Sequence, residues 1–357
     1  MHRTVYLKTT DTCNLNCHHC FTSGSQGRKI FWDHKKVSDW ISRLNDYLNE
    51  QDSVHFELHG GEPFLAPLET LQSVVRNAKK LNERFSFAAA TNLVYKLTDE
   101  IRAFIRDELN NGISTSWDPS IRFANDKQYQ LWLTNLKTLV QDGVNVTLNI
   151  SMSREVLSLD LEPLLFWVKE LGIKDLAFER ITIHGNAVDN LSHVPSNAEV
   201  DAWYDKLHEV TQKLDARNWF YNVLLEDVYA KFEKHISNNG TFCRACEERL
   251  FTLNADGTIG GCPNAAPLVQ YGYIDDSIEK LHRSPGRVSV MAQEKMRNDG
   301  CLSCEVFELC GSGCYQLTWD GSACPSPKSL MRRLAGLPTN YAVGAKPKRI
   351  FPIFEVK

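Results

Sequence analysis

The sequence predicts an α/β protein, a curled and mostly parallel sheet built from six strand-then-helix units, followed by a small cysteine-rich region. Three observations predict it. Short apolar runs alternate with amphipathic stretches through the first half of the chain, polar and glycine-bearing segments recur at the carboxyl ends of those runs, and the cysteines split into two distant groups. Alternation of strand and helix implies parallel pairing with right-handed crossovers. Such a sheet places its working loops at the carboxyl ends of its strands.

The first unit begins with RTVYLKTT (3–10), a strand that delivers a cysteine loop, and continues with helical spacing of Val37, Trp40, Ile41, Leu44 and Leu48 across 33–50. SVHFELHGGEP (53–63) reads as a strand ending in a glycine pair, followed by a helix over 68–81 and a short strand SFAAATN (86–92). The pattern repeats with a helix near 98–109, strand GISTSWD (112–118), a helix near 126–141, strand NVTLNISM (145–152) and a helix near 160–171. The sixth strand, DLAFERITI (175–183), ends at His184-Gly185-Asn186-Ala187. From Ser196 to about His235 the spacing is helical, with Asp201, Trp203, Leu207, Val210, Leu214, Leu224, Val228 and Phe232 as candidate core positions. Ser237-Asn238-Asn239-Gly240 then marks a shift to cysteine, glycine and proline. The expected division is a sheet domain over 1–195, a helical linker over 196–240, a cysteine-rich domain over 241–330 and a basic tail over 331–357.

At 357 residues the chain exceeds one typical domain. Its formal net charge of −4 gives no global attraction to nucleic acid or anionic membrane. The stretch from Ser326 to Lys357 is the local exception, with Lys328, Arg332, Arg333, Lys346, Lys348, Arg349 and Lys357 against the single acid Glu355, and charge runs of this kind are usually solvated faces. With neither a basic start before an apolar run nor an apolar stretch long enough to span a bilayer, a soluble cytoplasmic protein is expected, with no membrane partner. Eleven cysteines in such a protein point to metal binding or catalysis rather than disulfides.

Cys13, Cys17 and Cys20 follow C-x3-C-x2-C. Three thiolates can hold three irons of a [4Fe-4S] cluster and leave the fourth open. His18 and His19 lie between the cysteines, so zinc is equally compatible with this loop alone. At the next strand end stands His59-Gly60-Gly61-Glu62-Pro63, whose glycines permit close backbone approach and whose Glu62 offers a carboxylate. The second group is Cys243, Cys246, Cys262, Cys301, Cys304, Cys310, Cys314 and Cys324, enough for two sites of four ligands, whether iron–sulfur clusters or zinc ribbons.

CNLNCHHC followed by GGEP resembles the cluster loop and cosubstrate contact of the radical S-adenosylmethionine superfamily. The C-terminal cysteines, with the segment Tyr271-Gly272-Tyr273-Ile274-Asp275-Asp276-Ser277, resemble its SPASM extension. The resemblance implies a partial (β/α)6 TIM-like barrel followed by a small SPASM domain, S-adenosylmethionine as cosubstrate, and three [4Fe-4S] clusters. Cys13, Cys17 and Cys20 would hold the first cluster, with the open iron chelated by the cosubstrate's methionine group. Cys243, Cys246, Cys262 and Cys314 would hold one auxiliary cluster, and Cys301, Cys304, Cys310 and Cys324 the other. By strand position the cosubstrate contacts would be Phe21, Gly60, Gly61, Glu62, Pro63, Asn92, Ser116, Asp118, Asn149, Ser151 and Gly185. His19 stands where the family usually has an aromatic residue, and its imidazole can still pack near adenine.

The reaction implied is reductive cleavage to a 5′-deoxyadenosyl radical, fed by a flavodoxin or ferredoxin, and hydrogen abstraction from a peptide or protein side chain. Crosslinking, oxidation and epimerisation are all within the family's range. Pro263 occupies the position of an aspartate base in the sulfatase-maturating relatives, which counts against formylglycine formation. The first strand starts almost at once, so no N-terminal peptide-recognition domain is expected. Candidate acid or base residues are Glu179, Arg180, His184 and Tyr271. The alternative is a radical enzyme acting on a small molecule, nucleotide or nucleic acid, suggested by the basic tail; a zinc-stabilised binding protein is the reading from another class.

Overall fold

The computed structural model describes residues 1–110, 112–233, 245–264 and 269–337. Six strands stand side by side in sequence order, all parallel: β1 (His2–Thr10), β2 (Ser53–Gly60), β3 (Phe85–Ala90), β4 (Ile113–Ser116), β5 (Val146–Ser151) and β6 (Asp175–Glu179). Between them run α1 (His34–Tyr47), α2 (Leu68–Leu81), α3 (Asp99–Glu108), α4 (Asp126–Gln141), the short α5 (Arg154–Leu157) and α6 (Leu161–Glu170). Side-chain caps define their starts: Asp33 accepts from Lys35 and Lys36 N–H, Thr98 from Ile101 N–H, and Asn125 from Gln128 N–H. Each such cap contributes about 1 kcal/mol.

The two faces of the sheet differ sharply. Val5, Leu7, Val54, Phe56, Leu58, Phe87, Leu148 and Ile150 are fully buried on the helix-covered side, where Phe56 stacks on Phe87 with ring centroids 4.9 Å apart. The alternate positions carry Tyr6, Lys8, His55, Glu57, His59, Ser114, Ser116, Asn149, Ser151 and Glu179. A filled barrel would place branched apolar side chains there. Here the concave side is polar, so it forms a chamber rather than a second core.

The sheet extends beyond the six expected strands. The two-residue β7 (Tyr221–Asn222) pairs parallel with β6 inside a stretch expected to be wholly helical, between α7 (Asn197–Lys213) and α8 (Val223–Glu233). On the opposite side β8 (Leu250–Leu253) adds parallel to β1, with Thr4 opposite Leu250 and Leu7 opposite Leu253. Antiparallel β9 (Thr258–Gly260) and β10 (Gly272–Tyr273) complete the order β10-β9-β8-β1-β2-β3-β4-β5-β6-β7. The cysteine-rich region thus continues the sheet. Its short helices are α9 (Cys246–Arg249), α10 (Ile278–His282), α11 (Pro285–Lys295), α12 (Asp299–Leu302), α13 (Phe307–Cys310) and α14 (Lys328–Leu334). No helix among the described residues is long and apolar enough to cross a membrane.

Two expectations need correction. The sixth strand stops at Glu179 rather than at 183, because Arg180 is drawn out of the sheet to donate to the Pro325 carbonyl (2.9 Å) and to Asn197 Oδ1 (2.6 Å). Asp201 is not a core residue in the apolar sense: it accepts from Ser329 N–H (2.9 Å) and Oγ (2.7 Å), tying α7 to α14. Trp203, Leu207, Leu224 and Val228 are buried as expected.

Asn197 completes a clasp between barrel and cysteine-rich region. Its N–H donates to Asp320 Oδ2 (2.6 Å) and its Nδ2 to the carbonyls of Thr318 (2.9 Å) and Ala323 (3.0 Å). Asn197→Ala should cost about 1–3 kcal/mol. Hydrogen exchange should accelerate across 318–325 and stay unchanged in β2; unchanged exchange at 318–325 would remove the clasp from this account.

Candidate active site

The first cysteine loop leaves β1 and is held by glycine turns on two sides. After β2, Gly61 N–H donates to the Thr10 carbonyl (2.8 Å) and Glu62 N–H to the Thr12 carbonyl (2.9 Å). A Cβ on Gly60, where φ is +138°, would stand 2.3 Å from the Thr10 oxygen, and one on Gly61 would stand 2.1 Å from the Thr12 oxygen. The glycine pair therefore packs against the cysteine loop itself as well as lining the cavity beside it. From the other side comes the segment after β6. Gly185, with φ +54°, lies so near Cys20 that a Cβ would meet its carbonyl oxygen at 2.4 Å. Asn186 N–H donates to the Cys20 carbonyl (2.8 Å), and its Nδ2 to the Cys17 carbonyl (2.9 Å).

So clamped, Cys13, Cys17 and Cys20 line one cavity with Gly60, Gly61, Asn92, Ser116, Asn149, Ser151 and Glu179. The sulfurs meet donors: Leu15 N–H (3.4 Å) and Asn92 Nδ2 (3.6 Å) on Cys13, and Gly24 N–H (3.2 Å) on Cys20. Burial pushes the thiol of Cys13 up to about 11 and that of Cys17 up to about 12. Loading of these ligands must therefore release protons.

Glu62 is wholly buried. It accepts from Phe64 N–H (3.1 Å), Thr91 Oγ1 (2.8 Å) and Asn92 N–H (2.6 Å), and so fixes the glycine turn to the end of β3. Pro63 opens the following 3-10 turn, and Thr9 Oγ1 donates to its carbonyl (3.3 Å). Neither residue lines the cavity, so their reach toward it is through Gly60, Gly61 and Asn92. Asp118 is likewise buried, held by Arg122 Nε (2.6 Å) and Ser151 N–H (2.6 Å), with His19 Nε2 at 3.4 Å. Arg122, which the sequence reading missed, lines the cavity and accepts the Cys17 thiol on its carbonyl (3.8 Å).

The four acid–base candidates separate. Glu179 lies open to the cavity, and the protein walls around it, reinforced by Asp118, push its carboxyl up. Arg180 also lines the cavity, but its guanidinium is engaged in the clasp. His184 caps the turn at Gly185 and lines neither this cavity nor its neighbour. Tyr271 is buried behind Gly261 and lines neither cavity, its hydroxyl donating to Glu247. Phe21 lines both, 6.0 Å from the His59 ring. His59 is a second missed residue: it lines the cavity with Nδ1 unpartnered, and burial, with Lys8 nearby, lowers it to about 3.

In the cysteine-rich region, Glu247 gathers three chain segments. It follows Cys246, accepts the Cys262 N–H (3.2 Å) and accepts the hydroxyls of Tyr271 and of Tyr315, the residue after Cys314. Gly261 makes room, since a Cβ there would lie 1.8 Å from Glu247 Oε2. Cys243 lies outside the described residues. Separately, Cys301, Cys304, Cys310 and Cys324 line one small cavity of about 30 Å³ together with Ser312 and Ser326, and Cys314 is not part of it. Among the described residues no three His, Cys, Asp or Glu side chains converge as ligands of a single metal ion. A cubane spreads its thiolates over separate irons, so free cysteines around a common cavity suit it.

Residues 3–114 match the family model described as a 4Fe-4S single cluster domain. No curated protein matches the sequence. Among solved structures, native anSMEcpe, an anaerobic sulfatase-maturating enzyme with bound AdoMet and Cp18Cys peptide, superposes with a TM-score of 0.78 at 15% identity, over 94% of this chain and 95% of that one. This chain shares the fold of that enzyme. Streptococcus suis SuiB bound to S-adenosylmethionine shares it at a TM-score of 0.62 and 13% identity, over 90% and 77% of the two chains. SuiB bound to the precursor peptide SuiA does so at 0.61 and 14%, over 88% and 72%. The donor set fits the groups that the sequence resemblance implies: three uncrosslinked thiols, sulfur-directed N–H donors, and a polar wall at the strand ends.

Two outcomes follow from the clamp. Gly61→Ala should displace the cysteine loop at a cost of about 1–3 kcal/mol and raise the reactivity of Cys13 and Cys17 toward Ellman's reagent in cluster-free protein. Burial raises Glu62 to about 7 against the lowering effect of its three donors. Its contribution to stability is thus full below the ordinary carboxylate range and lost as pH rises through about 7. In denaturant titrations, Glu62→Gln should flatten that decline; equal slopes for both proteins would contradict the assignment.

Proposed function

We propose that this chain is a radical S-adenosylmethionine enzyme that modifies a side chain of a peptide or protein, using three [4Fe-4S] clusters. The observation that carries the reading is the clamped loop of Cys13, Cys17 and Cys20 facing a cavity at the carboxyl ends of the strands, with three cysteine ligands and no fourth from the loop. When bound there, the cluster and S-adenosylmethionine would supply hydrogen-atom abstraction by an adenosyl radical.

The chain's own residues orient and enclose. Gly60, Gly61 and Asn92 would hold the amino-acid end of the cosubstrate, while Ser116, Asn149, Ser151 and the Phe21 ring would border the remainder. Asp118 and Arg122 neutralise one another beside His19 and fix that wall. Glu179 is the acid–base candidate with access to the cavity. In this reading residues 1–195 form the radical domain and 241–330 the auxiliary domain, with Cys243, Cys246, Cys262 and Cys314 on one cluster and Cys301, Cys304, Cys310 and Cys324 on the other.

A peptide substrate is supported by the peptide-bound states of anSMEcpe and SuiB. It is also supported by a basin of about 610 Å³ between the cysteine loop and the Cys262 hairpin. Held by the eight cysteines of the C-terminal region, the auxiliary clusters would supply an electron acceptor for substrate oxidation, and a flavodoxin or ferredoxin would be the reducing partner. The nucleotide or nucleic-acid alternative rests on the tail, most of which (338–357) lies outside the described residues.

After anaerobic reconstitution the protein should carry about twelve irons and as many sulfides, and form 5′-deoxyadenosine with dithionite. Cys17→Ala should abolish that product and retain about eight irons. Zinc in place of iron, or deoxyadenosine formation surviving in Cys17→Ala, would overturn the reading.

A further inference from the structure

We propose that Lys8 is a substrate-recognition residue whose ammonium receives a carboxylate of the peptide substrate in the basin between the first cysteine loop and the Cys262 hairpin. The inference rests on the peptide-modifying reading above.

Lys8 lies near the carboxyl end of β1, in register with His59 of β2, and lines the basin. The other charged side chains lining it are Asp11, Arg28 and Asp256. Arg28 bridges both acids, with Nη2 2.7 Å from Asp11 Oδ2 and Nη1 2.8 Å from Asp256 Oδ2. Lys8 has no hydrogen-bond or ion-pair partner among the described residues. His59 cannot serve, since burial and Lys8 itself keep its imidazole neutral. Glu57, in register with Tyr6 one step deeper, is engaged by His55 at 3.1 Å.

The basin's two acids and two cations balance in charge, and among the described residues Lys8 is the one of the four without a direct contact. Burial lowers the amine, against the longer-range pull of Asp11 and Asp256 that Arg28 already holds. An arriving anion would restore the charged form, and the binding site would discriminate against a neutral isostere, because that isostere leaves the ammonium unpaired. A single ammonium suits a carboxylate, singly charged and small enough for one contact. The location also matters. The same basin is lined by Cys262 and Pro263 on one side and by Phe21 and Thr22, which also line the cluster cavity, on the other. A carboxylate fixed at Lys8 would anchor the substrate beside both proposed redox sites.

The carboxylate can come from an acidic side chain or from a chain terminus. In the reconstituted protein, lysine acylation by N-hydroxysuccinimidyl acetate, read by mass spectrometry, is measured with three probes: acetyl-Gly-Glu-Gly amide, acetyl-Gly-Gln-Gly amide and acetyl-Gly-Gly-Gly free acid. At about ten times its dissociation constant, a protecting acid should slow labelling of Lys8 about elevenfold. The exposed Lys35 should be unaffected, and whichever acid protects identifies the source. By fluorescence anisotropy, Lys8→Met should lose affinity for the protecting acid while Lys8→Arg retains it. Equal protection by the glutamine peptide, protection by neither acid, or unchanged affinity in Lys8→Met would overturn the proposal. None of these readouts requires cosubstrate cleavage. Failure of the wild-type protein to form 5′-deoxyadenosine would instead remove the radical reading.

Discussion

The structure depends on close backbone packing around a twelve-residue stretch, Thr10–Phe21. Gly60 and Gly61 press against Thr10 and Thr12, and Gly185 presses against Cys20 and Phe21, at separations where a methyl group would collide with a carbonyl oxygen. A loop carrying three thiols would otherwise be free to turn them outward. Held from both sides, it presents Cys13, Cys17 and Cys20 to one cavity and leaves the glycine turn as the opposite wall. Buried Glu62 then locks the turn to β3 through three donors, so the geometry of the loop is transmitted into the sheet.

The rest of the architecture serves that edge. Apolar residues on the helix-facing side of β1 to β6 supply the core, which leaves the concave side free to be polar. The added strand β8 carries the sheet into the cysteine-rich region, so that Cys262 and its hairpin stand across the basin from the first loop. Glu247 joins the segments bearing Cys246, Cys262 and Cys314 through buried hydrogen bonds, and the Asn197–Arg180 clasp fastens residues 318–325. Three cysteine-bearing regions thereby share one framework.

Much of this was legible in the sequence. The α2 and α4 boundaries coincide with those expected, because their apolar periodicity is uninterrupted and their ends are marked. Strands β1 and β2 alternate apolar and polar residues because one side is core and the other chamber. The two-residue β7 was invisible, since two residues carry no period, and the early end of β6 depends on Arg180 reaching a partner 145 positions away. Within the candidate site, the spacing of the cysteines and the glycine pair pointed to strand ends that line one cavity. Tyr271 and His184 do not line the cavities, because sequence proximity to a motif does not say which way a side chain turns. Lys8 and His59 could have been marked only by asking which polar residues at alternate strand positions face inward without a direct partner, and Arg122, in the loop after β4, only by its pairing with Asp118.

The central claim is that the clamped loop leaves one metal position open to the cosubstrate. Pulsed electron–nuclear double resonance on the reduced protein, with S-adenosylmethionine labelled with 15N at its amino group, tests it directly. A nitrogen hyperfine coupling to the cluster that changes with the label is the predicted result. A cluster whose spectrum is indifferent to the cosubstrate and its label would mean that a protein ligand fills the fourth position, and the account of the site would fail.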